Sequence, residues 1–196
     1  MVKFISFGIF ATIMSGRIIL AGKGFELTID RLCYQLIENY DTFEDVCLIG
    51  IQERGALLSD RLMSRLKKIN KNKVPQYGKL DITFYRDDYR QREKPLKAAS
   101  TEINFLVENK RVILVDDVLY TGRTVHAAIS AIQDFGRPAL LELLCLVDRR
   151  FNRHLPIAPD YTGLAVDALD DAYVKVAWGL EGNDVITMYS GQNEII

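Results

Sequence analysis

Two adjacent carboxylates, Asp116 and Asp117, close a run of four branched apolar residues, Val112-Ile113-Leu114-Val115. Val118-Leu119-Tyr120-Thr121-Gly122-Arg123-Thr124 follows directly. Neighbouring carboxylates do not bind phosphate, but they accept hydrogen bonds from sugar hydroxyls or hold Mg²⁺ through water. The Thr121-Gly122-Arg123-Thr124 turn has the opposite preference. Thr121 and Thr124 offer hydroxyls to phosphate oxygens, and Gly122 lets the backbone come close to a ligand. Beyond the turn, Val125, Ala128, Ile129, Ile132 and Phe135 recur at helical spacing, so a helix begins near Arg123 or Thr124. Its unpaired N–H groups and its dipole add further attraction for an anion. The stretch thus joins a sugar site to a phosphate site. Taken alone, the Asp pair fits equally well the solvated tip of an ordinary strand–turn–helix.

Such a stretch needs a buried strand behind it. Four branched apolar residues in succession fit a strand covered on both faces, as in a parallel sheet. Residues 46–51 and 140–147 have the same character, and residues 17–21 and 160–166 read as shorter strands. Residues 26–39 form an amphipathic helix on Phe25, Ile29, Leu32, Cys33, Leu36 and Ile37. Gln52-Glu53-Arg54-Gly55 is a second strand-to-helix turn, with an arginine placed to meet an anion. The helix after it carries Leu57, Leu58, Leu62, Leu66 and Ile69 on one face and bases on the other. Residues 79–86 alternate as a strand, with residues 102–107 as the second arm of a hairpin. Between them, Asp87-Asp88-Tyr89-Arg90-Gln91-Arg92-Glu93-Lys94-Pro95 has no apolar periodicity and reads as a mobile, lid-like loop. Gly136-Arg137-Pro138 stops the helix that follows the acidic pair. Residues 173–178 and 184–189 close the chain as strands around a turn at Glu181-Gly182-Asn183.

At 196 residues, 48% hydrophobic and 26% charged, the chain suits one soluble α/β domain. A net charge of −1 gives no global attraction to nucleic acid, so any such binding needs a local basic patch. Two candidates are Arg149, Arg150, Arg153 and His154, and the run Lys67, Lys68, Lys71 and Lys73; the lysine run reads first as a solvated helix face. Cys33, Cys47 and Cys145 lack metal-ligand spacing and read as reduced, buried thiols of a cytoplasmic protein. Residues 1–14 form an apolar run too short to span a bilayer, and no membrane association is expected. They read as an extension or annotation artefact with translation starting at Met14, which leaves residues 15–196 as the domain.

Residues 112–124 resemble the phosphoribosyl pyrophosphate (PRPP) motif of the type I phosphoribosyltransferases. The likeness extends in order through Gly50-Ile51-Gln52-Glu53-Arg54-Gly55, Asp81-Ile82-Thr83-Phe84-Tyr85-Arg86-Asp87-Asp88, Gly136-Arg137-Pro138, Leu146-Val147-Asp148-Arg149 and Leu155-Pro156-Ile157. Together these blocks are similar to the PyrR family, pyrimidine-operon attenuators that are also uracil phosphoribosyltransferases. The resemblance implies a type I phosphoribosyltransferase fold: a mostly parallel central sheet flanked by helices, with a flexible loop and a small hood.

It also implies an activity, the reaction of uracil with PRPP to give UMP and pyrophosphate, with Mg²⁺ riding on PRPP. In that scheme Asp116 and Asp117 bind the ribose hydroxyls and stabilise developing charge, and Arg54 acts with them in catalysis. Val118, Leu119, Tyr120, Thr121, Gly122, Arg123 and Thr124 line the donor, the last four cradling its 5′-phosphate. Glu53 and Arg54 meet the pyrophosphate with Arg86 from the lid, while Arg137 and Val166 line the uracil pocket under a hood after Val147. Glu53 stands where the family pattern has Thr, a negative side chain beside a polyanion. The family's Asp-Arg-Gly-His-Arg-Glu segment is here Asp148-Arg149-Arg150-Phe151-Asn152-Arg153-His154, one residue longer. A homodimer or homotetramer is implied, with messenger RNA leader as a further partner. Three functions stay open: a uracil-salvage enzyme, an RNA-binding regulator with little enzymatic activity, and a phosphoribosyltransferase for another base.

Overall fold

The computed structural model describes residues 16–71, 73–87, 98–168, 172–180 and 182–189. The 1–14 extension and most of the charged lid-like loop lie outside the described residues.

In chain order the elements are β1 (Gly16–Ala21), α1 (Gly22–Tyr40), β2 (Val46–Ile51), α2 (Arg54–Ile69) and β3 (Gln76–Leu80). Then come β4 (Arg111–Leu119), α3 (Arg123–Ile132), β5 (Leu140–Arg150), β6 (Tyr161–Asp167), β7 (Tyr173–Ala177) and β8 (Val185–Tyr189). The central sheet has the order β3-β2-β4-β5-β6, and each neighbouring pair is parallel. Parallel strands joined by helices are covered on both faces, which is why every residue of β2 is buried.

Alternation along β4 separates two cores. Ile113 and Val115 pack with α1 and α2 through Leu32, Leu36, Leu58 and Leu62. Val112 and Leu114 pack on the other face with Val125, Ala128 and Ile132 of α3. The helix leaving β2 therefore goes to one face and the helix leaving β4, the adjacent strand, to the other. Such a switch point opens a crevice beyond the carboxyl ends of the two strands, where open α/β sheets bind ligands.

A second, antiparallel sheet, β1-β8-β7, joins the first strand to the last two. Val174, Val176 and Ile186 anchor it on the α1/α2 core, and Phe25 meets Trp178 edge to face at 6.0 Å between ring centroids. Asp184, only 5% exposed, accepts hydrogen bonds from Arg61 Nε and the Gly179 amide, both at 2.9 Å. This small sheet contains the expected first and closing strands.

Residues 79–86 differ from expectation. The strand ends at Leu80, and Thr83–Tyr85 is a 3₁₀ turn. Asp81 causes the break: one carboxylate oxygen accepts from the Thr83 amide and hydroxyl, at 2.9 and 2.6 Å, and the other from the Ala99 amide at 3.0 Å. A side chain that captures nearby amides competes with the ladder. Residues 102–107 form no hairpin arm; a single antiparallel bridge joins Glu102 to Lys79.

Candidate functional site

Asp116 and Asp117 lie at the carboxyl end of β4, 7% and 5% exposed. Asp117 falls on the same face as Ile113 and Val115, toward α2, and its Oδ2 lies 3.5 Å from Arg54 Nη1. That oxygen is buried and makes no hydrogen bond. Asp116 Oδ1 accepts the Asp117 amide at 2.9 Å. Burial pushes both carboxyls above the ordinary range. For Asp116 the charge of Asp117 pushes the same way, while Arg54 and Arg86 oppose it. Poor solvation favours the protonated form of the pair, whereas a cationic neighbour such as Arg54, or a hydroxyl-rich ligand, favours the ionised one. The carboxylate oxygens of Asp116 and Asp117 suit a Mg²⁺ met through its water shell.

Arg54 opens α2, in the turn that leaves β2. Gly55 brings this turn against β4: a Cβ built there would sit 2.1 Å from the Val115 carbonyl oxygen and 3.0 Å from Asp116 Cα. Only glycine allows that approach. Arg54 is half-exposed beside the Asp pair and Glu53 is exposed, so the acidic side chain does not fill the turn. The Gln52–Glu53 peptide is cis. Gln52 donates from its side chain to the Ser100 carbonyl and from its amide to Leu80 at 2.9 Å. The anion turn is thereby tied to both limbs of the 81–101 excursion. Arg86 closes the 3₁₀ turn and bears electrostatically on Asp116, which gathers Arg54, Arg86 and the Asp pair beyond the carboxyl ends of the central strands.

The hydroxyl-bearing turn lies opposite. Gly122 takes φ +90°, ψ −4°, the left-handed region that favours glycine, and caps α3 with no side-chain hydrogen bond. The Arg123 amide donates to Thr121 Oγ1 at 3.4 Å, and the next two amides of α3 are the ones left to meet a ligand. Thr121 and Thr124 are half-buried beside them. Arg123 pairs with Asp87 and donates Nε to His154 Nδ1 at 3.4 Å. Leu119 is 1% exposed and packs in the α3 core, and Val118 packs toward the α1/α2 core. Only their main chains can face a ligand.

Residues 148–157 lie against this turn. The amides of His154 and Leu155 donate to the Thr121 carbonyl at 3.0 and 3.3 Å. Arg153 donates to the Tyr120 carbonyl and pairs with Asp148. The Arg149 guanidinium lies 3.8 Å from the Tyr120 ring centroid. Arg150 forks onto Asp167 at 2.7 and 2.8 Å. The basic cluster is thus largely engaged internally, and Arg149, 5% exposed, is no surface contact. Asp87, Arg149 and Arg153 all belong to this neighbourhood; from sequence the two arginines were candidates only for a basic surface patch, and Asp87 was given no role. Val166 pairs with Arg149 across β5 and β6 at the same end of the sheet.

Arg137 is elsewhere, contrary to the expectation that it lines the pocket. Its amide donates to Glu108 at 2.7 Å and its carbonyl accepts from Asn109 at 2.9 Å. Those contacts sit where β4 and β5 begin, about 25 Å along the strand from its carboxyl end. Cys33, Cys47 and Cys145 are free and buried, and burial raises all three thiols, so none is a nucleophile. No helix among the described residues is long and apolar enough to cross a membrane.

Residues 15–180 match the phosphoribosyl transferase domain family. A protein of Elusimicrobium minutum named Bifunctional protein PyrR is 40% identical over 181 residues, covering 91% of this chain and 99% of that one. Its namesake in Desulfosudis oleivorans is 44% identical over 171 residues, 87% of this chain and 94% of the relative. Among solved structures, the hypoxanthine phosphoribosyltransferase of Trypanosoma cruzi superposes with a TM-score of 0.67 at 16% identity, covering 91% of this chain and 99% of that one. A hypoxanthine phosphoribosyltransferase of Staphylococcus aureus gives 0.65 at 18% identity, covering 92% and 94%. At such identities these structures bear on the fold and not on the base.

Proposed function

The chain belongs to the PyrR family within the phosphoribosyl transferase domain proteins, and from that premise we propose that it transfers a 5-phosphoribosyl group from PRPP to N1 of uracil. The C1–O bond to pyrophosphate breaks, the C1–N1 bond forms, and the N1 proton is lost; the products are UMP and pyrophosphate. The observation that carries this reading is the meeting of two strand ends: a buried Asp pair closes β4, and Arg54, in the turn leaving β2, lies 3.5 Å from Asp117.

Charge builds on the ribose as the leaving group departs, so the chain's task is to hold both ends and keep the centre dry. Thr121, Gly122, Arg123 and Thr124 are suited to the 5′-phosphate, with Arg123 exchanging Asp87 for it. Asp116 and Asp117 accept the ribose hydroxyls and, once ionised, oppose the positive charge of the ring. Arg54 and Arg86 are suited to the pyrophosphate. A Mg²⁺ carried by the donor, reached through water by Asp116 or Asp117, would neutralise the diphosphate. The segment 148–154 and Val166 are assigned to the base.

PRPP with Mg²⁺ and a panel of free bases tests this reading. Uracil is expected to give UMP far faster than cytosine, hypoxanthine or guanine; a purine preference would overturn the acceptor assignment. The relatives' name, bifunctional, supports a second activity, which we take to be binding of pyrimidine-operon leader RNA by a cytoplasmic homodimer or homotetramer. Filter binding at low salt should give a saturable, steeply salt-dependent curve. A flat titration would remove that activity.

A further inference from the structure

The loop assigned to the 5′-phosphate is braced from within only by a long bond, the Arg123 amide to Thr121 Oγ1 at 3.4 Å. Gly122 caps α3 without a side-chain bond, and the carbonyls of Tyr120 and Thr121 both turn to residues 153–155 for their donors. Tyr120 is held twice, its carbonyl by Arg153 and its ring by Arg149. Arg149, next to last in β5, is almost wholly buried, with Val166 as its cross-strand neighbour and its guanidinium 3.8 Å from the ring centroid. A cation within 6 Å of an aromatic face is attracted to it, and more strongly when water is excluded. A planar guanidinium also stacks on the ring, which an ammonium cannot do. Buried at this depth, Arg149 does not act as an exposed phosphate contact. What it touches is the residue immediately before Thr121.

We propose that Arg149 is a positioning residue for the 5′-phosphate loop: by stacking on Tyr120 it sets the amides and hydroxyls of residues 121–124, and so makes donor affinity depend on the acceptor-side segment. The inference rests on the donor reading above. It assigns to one side chain a dependence between the two halves of the site that the reaction itself does not require.

The test measures equilibrium affinity of the full chain, with Mg²⁺, for ribose 5-phosphate and separately for pyrophosphate. Arg149→Met, Tyr120→Leu and the double variant are compared with the parent. Ribose 5-phosphate binding is expected to weaken about tenfold in each single variant, the scale of one desolvated cation–ring contact. The double variant should be little worse than either single one, and pyrophosphate affinity should stay within twofold in all three. Should Arg149→Met fail to fold, Tyr120→Leu, altering a partly exposed ring, still carries the comparison. Unchanged ribose 5-phosphate affinity, equal weakening of both ligands, or losses that multiply in the double variant would each overturn the inference. A parent chain that binds neither ligand would instead overturn the donor reading, and this inference with it.

Discussion

Gly55→Ala tests the architecture of the site through a single methyl group. The new Cβ would lie 2.1 Å from the Val115 carbonyl oxygen, and its next neighbours, Asp116 Cα and Val115 C, are at 3.0 Å. These are main-chain atoms of the central strand, so no side chain can swing away. The turn must retreat by about 1 Å to restore ordinary contact. That carries Arg54 from 3.5 Å to beyond ion-pair reach of Asp117. Overpacking of this kind costs roughly 1–3 kcal/mol, a fall in Tm of about 3–10 °C for a chain of this size. A displacement of about 1 Å at a reacting centre can cost on the order of 100-fold in rate. Thermal unfolding and kcat/KM for PRPP are read on the same preparation. Gly24→Ala is the control, since its Cβ meets only a leucine methyl at 3.2 Å. Gly55→Ala with parental kcat/KM would refute the claim that close approach of this turn to β4 builds the site.

Three further outcomes are expected. Burial raises the Asp116 and Asp117 carboxyls from the ordinary 3.8, so the folded chain keeps protons that the unfolded chain has lost, and stability falls as pH climbs above that value until the folded groups ionise. Asp117→Asn should therefore flatten Tm against pH above about pH 4 while cutting turnover by on the order of 100-fold or more; near-normal turnover would contradict its role. Arg137→Ala should leave kcat/KM for uracil within about twofold, since distant surface substitutions scarcely matter, and a larger loss would return that residue to the pocket. Asp184→Ala should lower Tm by about 6 °C, from the loss of roughly 2 kcal/mol in a partly buried pair with Arg61, yet leave PRPP affinity intact. A weakened donor site there would mean that the small sheet shapes the crevice.

The central strand was legible because a parallel strand buried on both faces must be apolar throughout, and the carboxylates and glycine turn that break its pattern are where chemistry enters. The gathering of Arg54 with the Asp pair was likewise foreseeable, since both sit at strand-to-helix turns. Residues 79–86 misled because Leu80, Ile82 and Phe84 alternate as in a strand, while the break depends on where the Asp81 carboxylate finds its amides. Arg149, Arg150 and Arg153 read as a patch for external phosphate, yet their counterparts are Tyr120 just past the end of β4, Asp167 beside Arg150 on β6, and Asp148. Periodicity identifies a strand without naming its neighbour, so the pairing of β1 with β8 from opposite ends of the chain had no local signal. Arg137 fell at the wrong end of the sheet for the same reason. A helix stop signal says where an element ends, not which rim of the sheet that end occupies.

The account turns on one crevice holding both ends of one donor. Equilibrium binding of PRPP in the presence of Mg²⁺, competed separately by ribose 5-phosphate and by pyrophosphate, measures this most directly. Binding at one PRPP per chain, displaced fully by either competitor, is the predicted result. PRPP that fails to bind, or that neither half-molecule displaces, would contradict it.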